Sequence, residues 1–266
     1  MTAVGHELKA SYAFIERNFN LSRRYWGWEI AYLVYAIAGA LAISLIGAQL
    51  NDRRLILSLM IGATFWNYLS IVFSFIADTI AWERWEGTLE YTMMAPIRRR
   101  TQLLGSTLYA ILYGLVHTAV VLVVLALFFG LDMSHANVAT AAAFMVLGSF
   151  SFVGIGIMAA VLPLLFVERG SQMTFVLQSL LLLVSGVYAP DSVRSGLLGY
   201  ISPFSPATHV LDGVRSALTE GTPVTALLPQ VAALIVMGIV LIPVGLFVFA
   251  RAERYAKRTG RLKRVG

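Results

Sequence analysis

Cysteine is absent from this 266-residue chain, which excludes a disulfide scaffold, a thiolate metal site and a cysteine nucleophile together. Charge is scarce too: Asp, Glu, Lys and Arg make up 13% of the residues, where soluble domains carry about 25%. No G-x-x-x-x-G-K-[ST] phosphate loop occurs, since Gly87-Thr88 and Gly170-Ser171 lack both the lysine and the spacing. Nor is there an H-E-x-x-H, a G-x-S-G or an aspartate pair within an apolar segment; Ser149 with His117 is the one imaginable dyad. His6, His135 and His209 fall on different connections and have no metal-ligand spacing. The first 28 residues lack the apolar h-region of a secretory signal peptide.

What is present is apolar. Hydrophobic residues reach 58% and the mean hydropathy is +0.77, which excludes disorder and points to a bilayer as solvent. Six stretches approach or exceed the roughly 20 apolar residues that cross a bilayer: 29–50, 55–80, 103–131, 138–167, 173–188 and 224–250. The fifth is the shortest. The expected fold is therefore an all-α polytopic membrane protein with six transmembrane helices. Residues 1–28 form one unit and 29–266 the transmembrane domain.

Basic residues orient it. Sixteen of the twenty Lys and Arg residues fall in the segment to Trp28, the 81–100 and 168–172 connections and the tail beyond Ala250. Only Arg53, Arg54, Arg194 and Arg215 fall on the other side. Positive charge stays in the cytoplasm, so both termini are expected there. The net charge of +6 then reads as orientation and attraction to anionic lipid, not as nucleic-acid binding.

Three segments do not span. In residues 5–26, Leu8, Tyr12, Ile15 and Phe19 share one helical face, which predicts an amphipathic helix on the membrane surface. Tyr25, Trp26 and Trp28 mark the headgroup level beside it. In the 81–100 connection, Glu83, Glu86 and Glu90 fall at i, i+3 and i+7, so one helix would show all three carboxylates on one face. Trp82, Trp85 and Leu89 add apolar anchors, and Pro96 ends the helix. This is either a solvated amphipathic loop or a protein-binding surface. The 189–223 connection is too apolar for a free loop, while Pro190, Pro203, Pro206 and Pro223 forbid one long helix. Short re-entrant helices packed against protein fit it.

Polar residues mark the spans. Thr64, Asn67, Ser70, Ser74 and Asp78 share one face of the second, and Ser171, Gln178 and Ser185 repeat every seven residues through the fifth. They either make interhelical hydrogen bonds or line a pathway. Phe65, Trp66, Phe73 and Phe75 lie among them and would suit an amphipathic cargo. His117 is expected to bridge helices by a hydrogen bond, and Asp78 to snorkel or to pair with Arg84. Gly148, Gly154 and Gly156 are expected to allow close helix approach.

Two signatures then carry a resemblance. One is Glu86-Gly87-Thr88-Leu89-Glu90 with Met94-Ala95-Pro96, in which Thr92 stands where leucine is usual. The other is Ser185-Gly186 and Pro190, then Ile201-Ser202-Pro203, Pro206-Ala207-Thr208-His209, Leu211-Asp212-Gly213 and Arg215. With six spans and inside termini, the sequence resembles the permease subunits of type-2 ABC exporters, the ABC-2 family, over nearly its whole length. The resemblance implies a pathway built from two permease copies, set in a bacterial inner membrane and driven by two separate ATPase subunits that bind ATP and Mg. This chain itself would hold no cofactor or metal. The resemblance also implies a principal coupling helix at 82–95, including Glu83, Glu86, Gly87, Thr88, Leu89, Glu90 and the flanking Pro96. A smaller contact would include Glu168 and Arg169. The pathway would run past Thr64, Asn67, Ser70, Ser74, Gln178 and Ser185. The E-G-T-L-E pattern is more similar to members that export drugs, lipids or other hydrophobic compounds. Polysaccharide export is the alternative, of which Arg23-Arg24-Tyr25 is a faint echo. An intramembrane enzyme or a self-contained carrier lacks its motif or its internal repeats.

Overall fold

A computed structural model describes residues 3–94, 99–131, 133–166, 168–188 and 197–260. Its elements, in order, are α1 (Ala3–Arg24), α2 (Trp26–Gln49), α3 (Arg53–Trp85), α4 (Leu89–Met94), α5 (Arg99–Phe129), α6 (Val138–Ala159), α7 (Val161–Leu165), α8 (Gly170–Val184), α9 (Leu197–Ile201), α10 (Pro206–Glu220) and α11 (Leu228–Arg258). No strand occurs among the described residues. Five segments are long and apolar enough to cross a membrane: α2, α3, α5, α6 continued by α7, and α11 with the turn before it. The predicted fifth span is α8, with 15 residues. That is about 22 Å of helix at 1.5 Å per residue, shorter than the roughly 30 Å hydrocarbon core. It stops where Gly186, at φ 61°, turns the chain.

Local chemistry sets the other ends. Asp52 caps α3 by accepting from the Arg54 and Leu55 amides at 2.9 and 3.2 Å, beside Asn51 at φ 53°. That tight turn folds α3 back on α2. Asn137 caps α6 through the Thr140 amide. Helix α3 is central and mostly buried, whereas α11 presents its sides outward. Tyr68 and Phe73 of α3 are fully buried, as are Phe144 and Phe152 of α6.

The predicted short helices after α8 are α9 and α10, and residues 189–196 of that connection lie outside the described set. Helix α10 is sunk in the bundle against α3, α6 and α11, with Val210, Leu211 and Val214 wholly buried. Small residues permit it: a Cβ on Gly213 would sit 2.3 Å from the Phe144 ring, and one on Gly148 2.2 Å from Val210. Gly154 and Gly156 likewise bring α6 against Leu241 and Phe73.

Helix α1 packs on α5 through a face different from the apolar one. Ser11 donates to the Thr101 carbonyl at 3.2 Å and Tyr109 to Ser22 at 2.6 Å. Thr101 also bonds Glu7. Gly105 admits the contact, because a Cβ there would meet the Ser11 carbonyl at 2.5 Å. Tyr12 and Phe19 remain exposed.

Candidate functional site

Helix α3 runs past its predicted end at Ile80 to Trp85, carrying its last turns beyond the apolar stretch. The Glu86 amide closes that last turn on the Trp82 carbonyl at 2.8 Å. Gly87 then takes φ 72°, a left-handed geometry that glycine adopts without a Cβ clash. The Thr88 amide returns to the Glu83 carbonyl at 2.8 Å, and its hydroxyl follows at 3.3 Å. Helix α4 starts at Leu89, whose side chain is buried and holds α4 down. Pro96 lies outside the described residues.

This break corrects the expected single face of three carboxylates. Glu86 and Glu90 are exposed, while Glu83 is 2% exposed and turned inward. Its carboxylate accepts from Gln102 Nε2 of α5 at 2.7 Å and pairs with Arg17 Nη1 of α1 at 3.5 Å. Arg84 is buried as well, donating to the Leu164 carbonyl of α7 at 2.6 Å. The expected pairing of Asp78 with Arg84 is not found among the described residues. The outward surface holds Trp82 and Trp85, edge to face at 5.3 Å, with Tyr91 and Met94 beyond them. Glu168 and Arg169, also exposed, precede α8 a few residues past Leu164.

The two polar stripes meet at one point, where Ser74 donates to Gln178 Oε1 at 3.4 Å. Asn67 is half-buried, whereas Thr64 and Ser70 are buried in the bundle. Ser185 is also buried, 3.1 Å from the Ser205 hydroxyl, and its carbonyl accepts from Thr208 at 3.4 Å. Phe65, Trp66 and Phe73 are core residues and cannot touch cargo in this arrangement; Phe75 is half-buried. A 33-residue helix at the centre of a bundle buries most of its circumference, so its aromatics pack inward. His117 makes no helix-bridging hydrogen bond among the described residues. Its ring lies instead between Tyr32 and Tyr113, tilted to both, with centroids 5.3 and 5.7 Å away. Ser149 bonds Tyr68 and the Met145 carbonyl, so the imagined dyad with His117 does not form.

Sequence reasoning missed the partnerships of Arg17 and Gln102, and read Arg215 only as a basic residue of the outer side and part of the second signature. Arg215 donates to the Val187 carbonyl at 2.7 Å, just beyond the α8 break. Gln102 carried a signal, being an amide at the start of an apolar span. Arg17 carried none.

A bundle of apolar helices around a buried central one, five of them long enough to cross a bilayer, defines a polytopic helical membrane protein. The chain matches the ABC-2 type transporter family over residues 10–219 and belongs to it. It is the membrane permease component of an ABC transporter, a component that works with ATPase subunits. No match is found among curated proteins.

Proposed function

We propose that this permease exports a hydrophobic or amphipathic compound, using ATP hydrolysed with Mg in separate subunits seated on the surface from Trp82 to Met94. One observation carries the reading. Trp82, Trp85, Tyr91 and Met94 are 58–76% exposed, beside the carboxylates of Glu86 and Glu90, beyond the apolar part of α3. Large aromatics clustered in water mark a protein interface, and the acidic residues among them suit a basic groove. Glu168 and Arg169 form the smaller second contact. Both termini lie in the cytoplasm of a bacterial cell, and α1 rests its exposed Tyr12 and Phe19 in the headgroup layer. A second copy of the chain completes the pathway along the face where Ser74 meets Gln178. Phe175, Val176 and Leu180 of the same helix α8 are exposed, which suits a cargo that is part apolar.

Affinity capture from native membranes tests the docking. The wild-type chain should bring down an ATPase carrying a phosphate loop, and Trp85→Ala should lose it. Capture of the same ATPase by both would remove the surface from consideration. Stimulation of ATPase activity by added lipids or hydrophobic drugs in liposomes tests the cargo class; stimulation by lipid-linked saccharide alone would select polysaccharide export.

A further inference from the structure

We propose that Glu83 and Arg84 together form a two-armed yoke, which divides motion at the docking segment between two separate groups of helices. The inference rests on the docking surface described above, but assigns these two residues to transmission and not to docking. Two adjacent ionisable side chains, both under 10% exposed, sit at the last turn of the central helix. Burying charge is costly unless each group is held by partners, and here the partners lie in different directions.

The Glu83 arm reaches α5 through Gln102 and α1 through Arg17. Those two helices are already fastened to each other by Ser11 and Thr101 and by Ser22 and Tyr109. The Arg84 arm reaches the Leu164 carbonyl at the end of α7, directly before the second cytoplasmic connection and α8. The backbone of Glu83 also closes the turn that aims α4, through the Thr88 amide and hydroxyl. A displacement of the Trp82–Met94 surface therefore reaches α1 and α5 by one side chain and α7 and α8 by the next. Both are positioning residues, since neither lies on the exposed docking surface.

Hydrogen exchange on the complete complex in nanodiscs tests this, comparing the nucleotide-free state with the state trapped by ATP and vanadate. In the wild type, trapping should change protection both in α1 and in residues 161–170. Glu83→Gln should abolish the change in α1 and keep it in 161–170; Arg84→Gln should do the reverse. Arg17→Gln, on the outward side of α1, should reproduce the Glu83→Gln result without altering a buried position. Unchanged protection of α10 reports an intact fold, and if the buried variants lose it, the Arg17→Gln result decides. All three variants should capture the ATPase at wild-type yield. Loss of capture in Glu83→Gln with α10 protection intact would place that residue in the docking surface and overturn the yoke. Wild-type exchange changes in both regions of every variant would overturn it too. Failure of the wild-type chain to capture any ATPase would instead sink the docking reading, and the yoke with it.

Discussion

Tyr68 of α3 and Ser149 of α6, 81 residues apart in sequence, share a 2.6 Å hydrogen bond in the middle of the bundle. Both are wholly buried, and Ser149 also donates to the Met145 carbonyl of its own helix at 2.8 Å. The bond pins the central helix to the one that carries α10. Interhelical bonds of this kind contribute about 0.6 kcal/mol on average within membranes. Tyr68→Phe should thus lower stability by about that amount. Tyr68→Ala, which also opens a cavity, should cost about 3–5 kcal/mol. Reversible unfolding by denaturing detergent in mixed micelles measures both. Equal losses would mean that the hydroxyl, not ring packing, dominates this site.

Glycines divide by what lies over them. A Cβ on Gly154 would stand 2.5 Å from the Leu241 backbone, whereas Gly39 has nothing within 4 Å. Gly154→Ala must push α11 from α6, so a loss of about 1–3 kcal/mol is expected. Gly39→Ala should be neutral or stabilise by up to about 1 kcal/mol, because alanine restricts the unfolded chain. The same unfolding titration separates the two, and a gain at Gly154 would contradict the close helix contact.

The docking surface predicts an asymmetry among three glutamates. Glu86→Lys with Glu90→Lys should weaken ATPase capture, as should Trp85→Ala, the latter by about 30-fold if it behaves as an interface hot spot worth about 2 kcal/mol. Glu83→Gln should leave capture intact. Membrane insertion should survive in each, since these residues lie beyond the apolar part of α3. Capture yield and ATPase rate in vesicles are the readouts, and undiminished capture by the double reversal would put the contact elsewhere.

Topology is open to labelling because the chain has no native cysteine. Single cysteines at Asp52 and Met133 should react with an impermeant maleimide added to intact cells. Thr259→Cys, at the end of α11, should react only after lysis. Labelling of Thr259→Cys from outside would reverse the orientation drawn from basic residues.

The membrane class and the apolar stretches that become α3 and α6 were open to view in the sequence, whereas the helix break at Gly87 was not. Run length, charge count and capping chemistry are local properties, legible within a window of a few residues. The caps that Asp52 and Asn137 provide and the left-handed turn at Gly87 are just as local, yet none of them was drawn from the sequence. The coupling motif, also local, was visible, and with it the family. The facing of individual side chains was not. Period alone put Glu83 beside Glu86 and Glu90, yet Glu83 turns inward because Gln102 and Arg17, 19 and 66 positions away, offer it a hydrogen bond and a charge. Phe65, Trp66 and Phe73 read as pathway residues until the bundle closed around α3 on nearly every side. The early end of α8 was likewise a tertiary outcome, held by Arg215 from a helix 28 residues on. Apolar length and charge tell a chain which solvent each segment enters. Only packing tells a buried polar group which distant partner will satisfy it.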